Sequence, residues 1–246
     1  MRCFIGFSYD GSKYFGYQKQ IDKRTVQGVM EEALTKINGG DFVSLVASGR
    51  TDAGVHAIHQ RAHFDFNKDI PLNKLKRAIN SLIPDDIYVS TITKVDSTFH
   101  ARYSAKAKEY IYIINMGPYN PIEKDYVYQY NKKLDIPEME RALKYVEGTH
   151  DFKSFVKSSG DNDDCVRTII QTSLVRDIKN VNMITLSIFG TGFKRYMVRN
   201  IVGTLIEIGE GKRKSEDIIN ILNIKDRTKA GSCVPACGLY LKDVYY

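Results

Sequence analysis

Along this chain, stretches whose apolar residues recur at every second position are interleaved with stretches whose apolar residues recur every three or four. That change of period limits the fold more than any other feature. Residues 3–9 place Cys3, Ile5, Phe7 and Tyr9 on one side of an extended segment and stop at Asp10-Gly11, a turn pair. From Thr25 the pattern becomes Val26, Val29, Met30, Ala33, Leu34 and Ile37, a helical stripe with Thr25 as N-cap and Gly39-Gly40 as its stop. The pattern then predicts strands over 42–48 and 61–66, a helix over 72–83 closed by Pro84, and strands over 86–95 and 109–115. Beyond these it predicts a helix over 137–148, strands over 166–177 and 183–190, and a helix over 193–209. A short helix capped by Ser215 and a strand over 238–246 complete the chain. Strands and helices are mixed without strict alternation, which predicts an α+β fold with antiparallel sheet. The rhythm repeats, so two similar halves are expected, 1–104 and 105–246, with no low-complexity linker between them.

Composition narrows the class. Apolar residues make up 43% and charged residues 26% of the 246, enough for a proper core. No apolar run reaches the roughly 18 residues of a membrane helix. The opening MRCFIGFSYDG has no basic segment followed by an apolar one, the mark of a secretory leader. The cysteines Cys3, Cys165, Cys233 and Cys237 are scattered, as reduced thiols in a cytoplasmic protein would be. Cys233 and Cys237 have no histidine near them in sequence and do not read as a zinc site. A net charge of +7 favours a polyanionic partner, and sixteen tyrosines are compatible with base stacking.

The stretch SGRTDAGVHAIHQRAH, from Ser48, puts Arg50 and Asp52 between Gly49 and Gly54 in a connection between two strands. One reading is a turn, with the aspartate capping it and the arginine on the surface. The other is a carboxylate at a strand end, able to act as nucleophile or base and needing a cationic partner. Arg50, Lys108, Arg195 and Arg199 are the cations available. His56, His59 and His63 follow closely, but no glutamate sits between them as in HExxH, and on a strand His56 and His59 face opposite ways. No metal is therefore expected. Arg199 borders the apolar stripe of its helix, four residues before Gly203, where a neighbouring backbone could approach closely. It is either an arginine snorkelling at the core edge or one held at an inner cleft. Tyr110 shares a strand face with Tyr112 and is either core or a ring for a flipped-out base.

Several stretches together carry a likeness. SGRTDAGVHA at 48–57 is very similar to the signature of the tRNA pseudouridine synthase A (TruA) family. YDGSKYFGYQKQ at 9–20, TVQGVMEEAL at 25–34, FHARYSAKAKEYIY at 99–112, HDFKSF at 150–155, CVRTI at 165–169, GFKRYMVRNIVGTLIEIGEGK at 192–212 and VPACGLYLKDVYY at 234–246 resemble further family blocks in the same order. The resemblance spans essentially the whole chain. It implies two ferredoxin-like halves sharing a mostly antiparallel sheet flanked by helices, with a basic cleft between them. It implies a homodimer, without cofactor, that isomerises uridine to pseudouridine at positions 38, 39 and 40 of the tRNA anticodon arm. By the same likeness the essential aspartate falls on Asp52, the arginine that pairs with it on Arg199, and the active-site tyrosine that contacts the base on Tyr110. Arg50 resembles the residue that helps hold the nucleotide flipped out.

The chain departs from the family pattern at three places. Tyr17 stands where Trp or Phe is usual, His59 where Gly is more frequent, and Lys194-Arg195-Tyr196 is bulkier and more basic than the usual run. Two rival classes make distinct expectations. A noncatalytic RNA-binding module would have lost Asp52, Tyr110 or Arg199, and all three are present. A nuclease using Asp52 and His56 would break tRNA strands, whereas an isomerase leaves chain length unchanged.

Overall fold

A computed structural model describes residues 1–157 and 164–246. The described chain forms two compact units, Met1–Lys106 with Tyr240–Tyr246, and Ala107–Leu239. The last seven residues thus group with the N-terminal half rather than with the half that precedes them.

In the first unit, β1 (Arg2–Tyr9) runs antiparallel to both β3 (His56–Asp65) and β4 (Ile87–Val95), giving the order β4-β1-β3. The far edge of β3 is shared by two short partners. The two-residue β2 (Val46–Ala47) pairs antiparallel with its C-terminal part, and β10 (Leu239–Tyr245) pairs parallel with its N-terminal part through Tyr240 and Leu241. Helix α1 (Val26–Ile37) lies between β1 and β2 in sequence, and α2 (Leu72–Leu82) between β3 and β4. Cys3, Ile5 and Phe7 of β1, Val26, Met30 and Leu34 of α1, and Leu75 and Ile79 of α2 are all fully buried. Thr25 caps α1 as expected, its side chain accepting from Gly28 N.

The second unit follows the same path. Strand β5 (Ala107–Asn115) runs antiparallel to β9 (Met183–Gly190), β9 to β8 (Val166–Arg176), and β8 to the short β7 (Gly148–Asp151). The two-residue β6 (Tyr128–Gln129) adds parallel to β5. Helix α3 (Ile136–Lys144) precedes β8 and α4 (Met197–Gly209) follows β9, so β5-α3-β8-β9-α4 repeats β1-α1-β2-β3-α2, and the spatial order β5-β9-β8 repeats β1-β3-β2. This is the split βαβ path of a ferredoxin-like unit. The core gathers Tyr112, Ile184, Leu186 and Ile188 from the sheet and Met139, Ile201 and Leu205 from the helices. A short helix, α5 (Asp217–Ile224), lies beyond α4.

Several expectations need correction. The strand expected at 42–48 is only Val46–Ala47, because the amides of Val43 and Leu45 donate instead to Thr35 Oγ1 and Glu31 Oε1 of α1. The strand expected at 61–66 begins at His56, where β10 gives it a partner. The helix expected from 193 starts at Met197, since Tyr196 has φ +65°. The helix expected over 137–148 ends at Lys144, and Gly148 opens β7. Helix α5 has Glu216 as its N-cap, not Ser215, which is buried one residue earlier. Among the described residues, no helix is long and apolar enough to cross a membrane.

Candidate active site

Asp52 lies in the connection from β2 to β3, and this loop is held from outside itself. The β1–α1 loop approaches it so closely that a side chain at Gly11 would place its Cβ 2.0 Å from Val55 O, an overlap no rotamer relieves. Gly16, at φ +90°, would place one 2.9 Å from Thr51 O. Backbone hydrogen bonds link the two loops: Tyr17 N donates to Thr51 O at 3.0 Å and Gly54 N to Tyr14 O at 3.3 Å. Within the loop, Val55 N donates to Asp52 O at 3.2 Å.

Side chains complete the clamp. The Tyr9 hydroxyl lies 2.8 Å from Thr51 Oγ1, and burial pushes its pKa up to about 12, so it stays protonated. Gln60, fully buried, donates to Gly49 O at 3.0 Å and accepts from Ser48 Oγ at 2.8 Å. The backbone on both sides of Asp52, which is half-buried, is thus fixed in place. Arg50 is exposed.

The three histidines do not converge. His56 is buried, accepts at Nδ1 from Gly11 N at 3.0 Å and stacks on Tyr240 at 4.6 Å, so it is built into the clamp. His59 is exposed within β3, 3.5 Å from an Asp243 oxygen. His63 accepts from Ala101 N at 3.1 Å, and burial, with His100 and Arg2 adding to it, pushes its pKa down to about 4. A nuclease would need His56 to trade protons with substrate; that ring is 2% exposed, and its Nδ1 also lies 3.2 Å from an Asp10 carboxylate oxygen.

In the second unit, Tyr110 is buried on β5 opposite Ile188, its ring edge-to-face with Phe193 at 5.0 Å. Lys108, on the same strand, faces Gly190. Arg199 sits in the first turn of α4, half-buried, its Nε donating to Val234 O at 2.7 Å. The close approach expected at Gly203 is present, since a Cβ there would meet Ser232 O at 1.8 Å. The strap over 232–235 therefore lies flat on the helix, and Tyr112 secures it by donating to Pro235 O at 2.8 Å. Residues Phe193 to Tyr196 serve both candidates: Phe193 supports Tyr110, and the Tyr196 ring centroid lies 5.2 Å from the Arg199 guanidinium.

Arg50 and Asp52 thus belong to the first unit, and Tyr110 and Arg199 to the second. Reading by sequence gave no role at the site to Tyr9, Thr51, Gln60 or Tyr196. For Gln60 a signal existed, because it shares a strand face with Ala62 and Phe64 and is the polar member of a buried row.

The chain matches a family model described as tRNA pseudouridine synthase over residues 6–104 and 142–246. A protein named tRNA pseudouridine synthase A from Lacticaseibacillus casei is 46% identical over 243 residues, 98% of each chain. One of the same name from Anoxybacillus flavithermus is 45% identical over 246 residues, covering 100% of this chain and 98% of that one. A third, from a Geobacillus species, is 44% identical over 247 residues with the same coverage. Similarity that runs through both halves and end to end in each relative shows that this chain belongs to the tRNA pseudouridine synthase A family, whose enzymes isomerise uridine to pseudouridine.

Proposed function

We propose that this protein converts uridine to pseudouridine at positions 38, 39 and 40 in the anticodon stem-loop of tRNA, acting as a cytoplasmic homodimer without a cofactor. The observation that carries this is the clamped loop holding Asp52, in a chain similar along its full length to proteins named tRNA pseudouridine synthase A. The reaction breaks the C1′–N1 bond and forms C1′–C5. N1 gains a proton and C5 loses one, so no atom or electron is gained overall and no redox partner is needed. A base stacked in an RNA helix cannot turn over, so the uridine must first leave the stack.

Residues 1–104 carry the aspartate, and residues 105–246 the tyrosine and the arginine. Three first steps suit an ionised Asp52, namely attack at C1′, addition at C6, and removal of a ribose proton. Arg199 is the cation that favours the ionised form. Tyr110 stacks on the uracil and takes part in removing the C5 proton, and Arg50 holds the nucleotide out of the helix. The net charge of +7, with Lys106, Lys108, Lys194 and Arg195 near the motif residues in sequence, suits a phosphate backbone.

Incubation with unmodified tRNA transcript, followed by mapping of new pseudouridines, tests the reading. It expects modification confined to positions 38–40, intact strands, and binding that weakens steeply with salt. Cleaved tRNA, or pseudouridine elsewhere only, would contradict it.

A further inference from the structure

We propose that Phe15 and Lys23 form a contact surface for the substrate RNA, an unpaired base stacking on the Phe15 ring while Lys23 meets a phosphate beside it; this rests on the tRNA reading above. Both residues belong to the β1–α1 loop, whose Gly11 and Gly16 press against the Asp52 loop. Phe15 stands in sequence close to Tyr14 and Tyr17, which are 3% and 2% exposed, yet Phe15 itself is 53% exposed. A lone exposed aromatic is ordinary on a protein surface and implies nothing by itself. What sets this one apart is how it is held and what lies on it. Phe15 N donates to Arg24 O at 2.9 Å, and Phe15 O accepts from Gln20 Nε2 at 2.9 Å. The backbone is tied on both sides with the ring left outside, so ordering it on binding costs little.

The run 18–24 is exposed throughout and carries Lys19, Lys23 and Arg24 against one acid, Asp22. Two of the three cations are engaged, Arg24 with Asp86 at 2.9 Å and Lys19 with Glu31 at 3.7 Å. Lys23 makes no ion pair among the described residues, and its Nζ lies 4.6 Å from the Phe15 ring centroid. A ring with an ammonium beside it matches what an unstacked nucleotide offers, a π-face and a phosphate in one unit. An acidic peptide would offer the charge without the planar face. Gly16, the next residue, packs on Thr51 O, so a nucleotide on this ring belongs to the same stretch of RNA as one presented to Asp52.

The test compares Phe15→Ser, Phe15→Tyr and Lys23→Gln with the parent protein, reading affinity for unmodified tRNA transcript over a range of salt, thermal midpoint and oligomeric state. Phe15→Ser should weaken binding about five- to a hundredfold, the size of one base–aromatic stack, with midpoint and oligomeric state unchanged. Phe15→Tyr keeps a ring and should restore most of the affinity. Lys23→Gln should weaken binding and lower the slope of log affinity against log salt by about one, a slope that Phe15→Ser leaves as it is. Parental affinity in Phe15→Ser would overturn the inference and leave the tRNA reading standing, whereas a parent that did not bind tRNA would overturn both. A fall in midpoint would make the ring part of the fold, and a change in oligomeric state would make it a contact between copies of this chain. Either result would contradict the proposal.

Discussion

Residues 48–55 and residues 177–182 take the same step in the two halves, each joining the middle strands of a β-α-β-β-α path. The second is closed mostly by its own residues, with one outside tether from Met116 N to Asn182 O at 2.8 Å. Asp177 Oδ1 accepts from Lys179 N at 2.7 Å and Asn180 N at 2.9 Å, Met183 N donates to Asn180 O, and Ile178 is 97% exposed. The first is shaped from outside, by the β1–α1 loop pressed against it at Gly11 and Gly16 and by the buried side chains of Tyr9 and Gln60. A turn at this step therefore forms with little beyond its own aspartate and asparagine. The extra clamp around Asp52 is what the proposed chemistry, which needs a carboxylate held still, would call for.

The comparison breaks most readily at Gly11. Gly11→Ala forces the two loops apart and should cost about 3 kcal/mol or more of stability in denaturant unfolding, with loss of turnover. A variant of normal stability and rate would show that the close approach does not hold the loop.

Two tyrosines of the clamp should respond with opposite signs. Tyr9→Phe removes the hydroxyl paired with Thr51 and should cost about 1–1.5 kcal/mol, with a lower rate. Tyr17, which stands where the family usually has Trp or Phe, is 2% exposed and its hydroxyl has no hydrogen-bond partner among the described residues. Tyr17→Phe should therefore stabilise the protein by about 1 kcal/mol, as read from the shift in denaturation midpoint. Destabilisation there would mean that the hydroxyl has a partner, such as a buried water.

Asp177→Ala should produce the smallest change, about 0.5–1 kcal/mol of stability, and leave the rate of pseudouridine formation untouched. A slowed reaction would show that the second turn is more than a connection.

The α+β class and most elements were legible because periodicity records which face is buried. Helix α1 was clear from Thr25 to Gly39, since both stripe and cap are local. What escaped depends on partners distant in sequence. The N-terminal extension of β3 to His56 is set by Tyr240 and Leu241, and the loss of strand at 42–45 by side chains of α1 that take its amides. The true start of α4 escaped because Tyr196 reads as an ordinary helical residue and only its backbone angle shows otherwise. Asp52, Arg199, Tyr110 and Arg50 were named by their motif context. The groups that hold the Asp52 loop, Tyr9 and Thr51 among them, became visible only in three dimensions.

The claim at the centre is that the clamped loop exists to present the Asp52 carboxylate to a uridine. Asp52→Asn keeps the side-chain volume and removes the charge, so the variant should unfold at a midpoint close to the parent's and bind tRNA with similar affinity. The decisive measurement is pseudouridine formation by this folded, tRNA-bound variant under single-turnover conditions. The account predicts none above background; an appreciable rate would contradict it.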